Sequence, residues 1–589
     1  MSAELLKLIH QRKAAYRKVC TTKFQDEKLL KVFRRLRSQA NNLYRRLRNA
    51  YYHAACQSYR DKPRLLWSVI SCVTGRKQHK HQVSIPPSEL NEHFCKIVTD
   101  EAVTYALPYG PPQPADLVCF AEVTNASVHS ILSHLDPFKS PGPDGILPSM
   151  LKQFASVLAP SLAVIFDRSL QTAIVPAEFK KANIVPIPKN NKGDPMALTN
   201  YRPVSLNAVL SKVLEKLVRL QVEEQFDYRQ PLDDMQFGFR KNRSAAQLLV
   251  RGVNDWLQAR DSGLSTVVVF VDLSKAFDRV RHQPLLLDLH AAGIGGSALA
   301  WFASYLSGRY QRVVSLSGSS PYLPVTRGVP QGSVLGPLLF NLFIAHLPNL
   351  AAQYASTLLL FADDKTLYSS NCSLALAAAT ASRALEAIAA NLALKGLSIN
   401  ETKTVSMFIQ PPRSEQDVVP VSLNGHPLQV VSTFRCLGLM IDSDLSWRNH
   451  VDFLLWKIGR KVGVLRRVWR QMSAKARRLY LLGVIQPDLE YCSVAYLTSL
   501  PAAGRHRLLK IFRRPLRAAA GADPQADCEQ LLRDQHVQPL TARWLLQLGC
   551  FVYVCCNEPP AMCLAELFQF VAGNYRTRGQ EAGNLVVPL

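Results

Sequence analysis

Two stretches of the chain end an apolar run in carboxylates. In LLLFADDKTLY (358–368) the pair Asp363 and Asp364 follows the run, and in VVVFVDLSKAFDRV (267–280) Asp272 ends a second one. Adjacent carboxylates repel, and burying charge is costly, so such a pair needs a compensating partner. A divalent cation is one, and Mg²⁺ takes hard oxygen ligands. Two-metal phosphoryl transfer needs at least one further carboxylate from elsewhere in the chain, with the ions about 3.5–4 Å apart. Asp272 supplies it if the two runs are neighbouring strands, because all three acids then converge at one edge of a sheet. Taken singly, each acid has another use. D-D suits a hairpin turn, and Asp272 suits the cap of a helix beginning at Ser274.

The elements that must position these residues are legible. TVVVFVDL (266–273) and TLLLFADD (357–364) are short, apolar and partly β-branched, which predicts buried strands. RGVPQGSVLGPL (327–338) joins backbone-permissive glycines to a following apolar helix. ALAAATASRALEAIAANLAL (375–394) reads as a surface-packed helix. Mixed α/β character runs from the breaker-rich LPYGPPQPAD (107–116) to about residue 445. Before it, to about residue 75, the pattern is helical, with Leu36, Leu43, Leu47 and Tyr51 on one stripe and Arg35, Arg45, Arg46 and Arg48 on other faces. After residue 450 a helix sets Leu455, Ile458, Val462 and Leu465 beside a basic face. No internal repeat is present.

The 589 residues suggest two or three domains, and an apolar content of 48% excludes wholesale disorder. The net charge of +26 is unevenly spread. Residues 1–62 carry 16 Lys and Arg against 4 Asp and Glu, and residues 455–518 carry 15 against 2. Two basic segments flanking a nearly neutral body suit a polyanion held at both ends, nucleic acid above all, although solvated helix faces would look the same. The 13 cysteines show no C-x-x-C and no zinc spacing, so mostly buried, reduced thiols are expected, with no structural zinc. No apolar run reaches the roughly 18 residues of a membrane span, and no signal peptide is apparent, so no membrane association and no secretion are expected.

F-A-D-D together with D-L-S-K-A-F-D resembles the reverse transcriptases of non-LTR (LINE-type) retrotransposons. Other blocks of that family stand in the same order: KSPGPDGI (139–146), IVPIPK (184–189), NYRPVSL (200–206), QFGFRKNRS (236–244), RGVPQGSVLGPLLFNLFI (327–344), LSINETKT (397–404) and FRCLGLMID (434–442). The resemblance is specific over roughly 130–450 and weak toward both termini. It implies an α+β right-hand polymerase with fingers, a palm built on an antiparallel sheet and a helical thumb, behind a basic helical N-terminal extension. The expected divisions are 1–106 for the extension, 107–125 for a linker, 126–169 for a leader to the fingers, 170–442 for fingers and palm, and 443–589 for thumb and C-terminal region.

The resemblance also implies roles. Asp272, Asp363 and Asp364 would hold two Mg²⁺ ions, with Mn²⁺ a substitute, and Lys403 would give a proton to pyrophosphate. Lys189, Arg202 and Arg240 would face triphosphate or template, any of them being equally readable as a surface charge. Leu273, Phe277, Gln331 and Gly332 would line the nucleotide site, with Phe277 colliding with a 2′-hydroxyl unless it is merely a core aromatic. Phe434, Leu437 and Gly438 would belong to a hairpin gripping the primer. The partners implied are an RNA template, a DNA primer or target and dNTPs, the reaction being RNA-directed DNA synthesis by target-primed reverse transcription. Action in the nucleus, after a cytoplasmic ribonucleoprotein stage, follows from that. The competing readings are a catalytically silent element-derived RNA-binding protein, which should lose carboxylates, and a group II intron-type maturase, whose tail is not evident. Such elements usually encode an endonuclease ahead of the polymerase, and the first 62 residues do not resemble one. With NYRTRGQEAGNLVVPL (574–589) looking clipped, the expectation is a piece of a larger element protein or a dependence on nicks made elsewhere.

Overall fold

A strand with no polar alternation has no wet face and must be covered on both sides. Ser265–Val271 (β3) is buried at all seven positions. It lies at the centre of a five-stranded sheet, between Val405–Ile409 (β9) and Asp364–Asn371 (β8), antiparallel to both. Thr357–Phe361 (β7) pairs antiparallel with β8 at one edge, and the short Gln429–Val430 (β12) runs parallel to β9 at the other. The computed structural model describes residues 3–22, 25–58, 84–96, 118–189, 194–229, 232–412, 419–469 and 472–557, with a few isolated positions besides. The expected linker at 107–116 and the segment 574–584 lie outside them. The chain forms two units, Lys80–Ser446 with Cys550–Leu589, and Met1–His79 with Trp447–Gly549.

In the first unit, Val267, Val269, Val271, Leu358, Leu360 and Leu367 join one core with the helices Gly336–Phe343 and Leu374–Leu394. The helices at 125–172 contribute Val128, Leu132, Phe166 and Leu170 to the same core, beside Val213, Leu217 and Val222 of Val209–Arg229. The other sheet face carries Phe270 and Thr366, directly paired across β3 and β8. A hairpin of Thr433–Cys436 (β13) and Leu439–Asp442 (β14) covers it. Phe434 stacks on Phe270 with centroids 4.1 Å apart, and Cys436 Sγ lies 3.9 Å from Thr366 Oγ1. The hairpin's two turn residues, Leu437 and Gly438, have φ of 43° and 94°, the positive values that match strand twist in two-residue turns.

A second sheet pairs Lys181–Pro188 (β1) antiparallel with Tyr201–Asn207 (β2) and parallel with Arg309–Ser315 (β4), which also carries Gly318–Ser319 (β5) and Leu323–Val325 (β6). The helix Pro87–Lys96 packs Leu90 and Phe94 against Ala182, Ile184, Tyr201 and Val313. Asn91, fully buried, donates to the carbonyls of Gln311 and Pro321. A small hairpin of Ser422–Leu423 (β10) and His426–Pro427 (β11) completes the strands up to β14.

The second unit is helical. Ala3–Thr21 and Glu27–Ser58 pack together, with Leu5, Val19 and Ala40 buried and the Tyr16 and Phe33 rings 5.4 Å apart. The stripe expected through Tyr51 is covered only in part, since Leu36 and Leu43 are half-buried while Leu47 and Tyr51 are exposed. In Arg448–Val468 the buried stripe is Val451, Leu454, Ile458, Val462 and Leu465, so Leu455 sits at its margin. Asp488 takes Lys457 at 3.0 Å and also pairs Lys461, and Glu490 holds Arg543 through two bonds of 2.8 and 3.0 Å. The cysteines are less buried than expected. Among those described, Cys20, Cys119, Cys372 and Cys550 are exposed, and only Cys436, Cys492 and Cys555 are buried. Among the described residues, no helix is long and apolar enough to cross a membrane.

One buried amide ties the sheet's edge to its covering helix. Asn341 in Gly336–Phe343 donates to the Gly238 carbonyl at 2.7 Å and accepts from Gln236 Nε2 at 2.9 Å, with Asn341 and Gln236 essentially inaccessible. Asn341→Ala leaves two buried polar groups unpartnered and should cost about 2–4 kcal/mol. The outcome is a lower midpoint of thermal unfolding followed by circular dichroism.

Candidate active site

Strand register brings the three acids together. The β3–β8 ladder ends at Val271↔Lys365, and one step further Asp272 stands opposite Asp364. Directly opposed residues of an antiparallel pair have Cβ atoms about 4.5–5.5 Å apart. The β7–β8 ladder closes at Phe361↔Asp364, which leaves Ala362 and Asp363 as the turn. Ala362 has φ of 55°, left-handed backbone that costs an L-residue about 1–2 kcal/mol and persists only where its surroundings hold it. Those surroundings are the segment 235–238. Phe237 N–H donates to Leu360 O at 2.8 Å and Leu360 N–H to Met235 O at 2.9 Å, so the segment adds an edge to β7. Gly238 then lies against the turn itself, where a Cβ would come within 2.3 Å of Ala362 N.

Asp363 and Asp364 are exposed, contrary to the expectation of a buried pair, and the buried charge is the next residue. Lys365 is 2% exposed, on the core face of the sheet, with Nζ 3.3 Å from the Asp363 carbonyl and 5.9 Å from the centre of the Phe340 ring. Burial pulls its pKa down to about 8, against the pull of Asp363, Asp364 and Asp272 toward the charged form. Asp364, although in contact with solvent, has its pKa raised, first by partial burial and then by the Asp363 and Asp272 carboxylates. Asp272 is fixed by the 397–404 loop. Its N–H donates to Thr404 Oγ1, its carbonyl accepts from Asn400 N–H at 2.8 Å, and Lys403 Nζ lies 3.5 Å from its Oδ2.

These acids fit a divalent ion chemically: all donors are hard oxygens, and the Asp363 and Asp272 carboxylates add to the burial that raises the pKa of Asp364, a repulsion that a cation would relieve. Among the described residues, no group of three or more His, Cys, Asp or Glu side chains is placed so that it could hold a metal ion. Lys403, beside Asp272, is one of a group of neighbouring cations. Lys189 donates to Thr199 O at 2.8 Å, and its pKa is lowered by burial and then by Lys403 and Arg202, with Asp278 opposing. Lys275 is lowered likewise, by burial and Lys189. The structure therefore gathers Lys189, Arg202 and Lys403. Arg240 is held elsewhere, on the carbonyls of Asp233 at 2.7 Å and Gln236 at 3.3 Å.

Leu273 is buried and bridges Ile399. Phe277, half-buried, stacks on Phe340 at 4.6 Å and meets Phe239 edge-on at 6.4 Å. The 328–336 loop is pinned from several sides. Gln331 O accepts from Ser205 N–H at 2.8 Å, and Gly332, at φ 112°, leaves no room for a side chain beside Ser205 O. Gln331 Nε2 donates to Asp278 Oδ1 at 2.9 Å. Glu215, nearly inaccessible, accepts from Val334 N–H and Leu335 N–H at 2.6 and 3.2 Å, and burial pushes its pKa up. The β13–β14 hairpin with Phe434, Leu437 and Gly438 lies on the carboxylate face, because residues two apart on a strand share a face. Phe270 therefore points as Asp272 does, and Thr366 as Asp364 does.

Residues 187–454 match the family model described as reverse transcriptase (RNA-dependent DNA polymerase). The chain carries a reverse transcriptase domain. Its curated relatives come from non-LTR retrotransposons. The probable RNA-directed DNA polymerase from transposon BS of Drosophila melanogaster is 30% identical over 362 residues, which is 59% of this chain and 39% of the relative. The RNA-directed DNA polymerase from mobile element jockey of the same fly is 28% identical over 467 residues, 76% of this chain and 48% of the relative. The putative 115 kDa protein in type-1 retrotransposable element R1DM of that fly is 28% identical over 398 residues, 66% and 37% of the two chains. The chain thus spans less than half the length of these relatives.

Within the reverse transcriptase domain, sequence reasoning missed Lys365, Asp278, Gly238 and Thr404. Lys365 stands in a mostly polar strand, DKTLYSSN, where nothing local marks it as buried, and the contact of Gly238 with the Ala362–Asp363 turn joins segments more than 100 residues apart. Because the atoms facing Gly238 are backbone, Gly238→Ala must displace that turn. A misplacement near 1 Å costs about 100-fold in rate, and a loss of that size in nucleotide incorporation on primed RNA, with an unchanged circular dichroism spectrum, is the expected outcome.

Proposed function

We propose that this chain is an RNA-directed DNA polymerase of a non-LTR retrotransposon, copying RNA into DNA from a DNA 3′-end by target-primed reverse transcription. The observation that carries the reading is the convergence of Asp272 with Asp363 and Asp364 at the ends of paired strands. In this reading the β3 sheet is the palm, the β1–β2–β4 sheet belongs to the fingers, and the helices after residue 447 form the thumb. A catalytically silent RNA-binding protein would have no need of the three acids, and all three are present.

Asp272, Asp363 and Asp364 would hold two Mg²⁺ ions, or Mn²⁺ in their place. Bound there, such ions supply a lowered pKa at the primer 3′-hydroxyl and charge neutralisation at the leaving pyrophosphate. The protein's own part is positioning and electrostatics. Lys189 and Arg202 meet the triphosphate, Arg with bidentate geometry. Lys403, beside Asp272, gives its proton to the departing pyrophosphate. Leu273 and Phe277 border the sugar, and the Phe277 ring, braced by Phe340, denies space to a 2′-hydroxyl. Gln331 and Gly332 face the forming base pair. Phe434, Leu437 and Gly438 hold the primer end on the carboxylate face. Arg240 supports the 233–238 loop and acts on the site through Gly238. The basic helices of the second unit hold template and product through phosphates, independent of sequence. Action on genomic DNA sets the working place as the nucleus.

Asp→Asn substitution at 272, 363 or 364 should lower primer extension by about 1,000-fold or more, while filter binding of RNA stays largely intact. Retained extension in the Asp363→Asn variant would sink the reading. Phe277→Val should raise ribonucleotide use relative to dNTPs by about tenfold or more, measured by single-nucleotide incorporation with each nucleotide in turn.

A further inference from the structure

Asp278 stands six residues beyond Asp272 and has no part in the chemistry above. The short helix Ala276–Arg279 carries it next to Phe277. The helix's own backbone holds the loop opposite: Val329 N–H donates to Phe277 O at 2.9 Å, and a Cβ on Gly328 would meet Asp278 O at 2.9 Å. With Gln331 O bound to Ser205 N–H and Gly332 pressed on Ser205 O, the backbone on both sides of the Gln331 side chain is fixed. The freedom that remains is rotation of the amide. Asp278 Oδ1 takes Gln331 Nε2 at 2.9 Å. Burial raises the pKa of Asp278 to about 6, while the Gln331 hydrogen bond and the Lys275 and Lys189 charges hold it down, so at neutral pH the group is an anion. An ionised carboxylate only accepts, whereas a primary amide has one donor end and one acceptor end. The pair therefore decides which end of the amide turns toward Asp278.

We propose that Asp278 is a positioning residue for nucleotide selection: by taking one N–H of Gln331 Nε2 it locks the amide so that the second N–H of the same nitrogen is the donor that meets the minor-groove edge of the new base pair. The proposal rests on the reading of Gln331 as the residue facing that pair. The chemistry of the groove gives the lock its purpose. Every correct pair presents acceptors there, purine N3 and pyrimidine O2, so a fixed donor suits all four alike. A mismatched pair displaces those acceptors, so a donor fixed in place favours the correct pair, whereas an amide free to turn would offer its oxygen half the time and lose that advantage.

The test is single-nucleotide incorporation on primed RNA with Mg²⁺ and dNTPs, in the full chain, for Asp278→Ala, Asp278→Asn, Gln331→Ala and the double variants. A hydrogen bond to a charged group predicts that Asp278→Ala raises KM for the correct dNTP about tenfold, with kcat nearly unchanged and discrimination against mismatched dNTPs reduced. Asp278→Asn, whose own amide can still turn an oxygen to Gln331, should give a smaller rise, and being nearly isosteric it carries the comparison if Asp278→Ala unfolds. In the Gln331→Ala background neither substitution should add anything. Additive effects in the double variants, or a fall in kcat at constant KM, would make Asp278 merely structural and overturn the proposal. A Gln331→Ala variant with unchanged KM would overturn it through its premise. Absence of incorporation by the unaltered chain would instead count against the polymerase reading.

Discussion

Slip the β3–β8 ladder by one residue, and Asp272 moves to the opposite face of the sheet from Asp364. That register is the constraint on which the site depends. It is secured by burial: β3 is inaccessible along its whole length, and Val267, Val269 and Val271 belong to the main core. Phe270 on the other face is claimed by Phe434, so a shifted strand would place an aromatic in the main core and valines under the hairpin. Antiparallel pairing then does for the acids what no local preference could, bringing residues more than 90 positions apart into opposition.

The charges around that point are arranged in depth. Three carboxylates stand at the rim, Lys403 lies against Asp272 with Lys189 and Arg202 as its neighbours, and Lys365 sits behind the sheet with little solvent. A buried lysine is unfavourable by itself, which its lowered pKa reports. Next to three acids its charge is useful, since it holds the turn's carbonyl and offsets part of their mutual repulsion. The site is thus partly neutralised by the protein, and the remaining negative charge is what a metal would meet.

Buried polar groups fix the loops that surround the acids. Asn341 connects Gln236 to Gly238, Glu215 caps the amides at Val334 and Leu335, and Asp278 receives Gln331. Asn341 and Glu215 satisfy donors that would otherwise be stranded away from water, which is the strongest reason a polar group has to occupy one position only. The same groups make the reverse transcriptase domain sensitive to substitutions well away from the three acids.

Much of this was legible in the residues. The alternation-free runs announced β3 and β7, the D-D pair and Asp272 announced an acidic site, and the ordered blocks announced the domain, because burial and backbone geometry act on local sequence. The errors were also local. Leu455 lies at the margin of its helix's buried stripe, and Leu47 and Tyr51 are left uncovered, since amphipathic spacing says which side is apolar but not what will cover it. The acids' exposure, the burial of Lys365, the diversion of Arg240 to loop carbonyls, and the pairings of Gly238 with Ala362 and Asp278 with Gln331 came only from tertiary structure. These are contacts between distant segments, decided by register and packing, and a linear string of side-chain preferences holds no term for them.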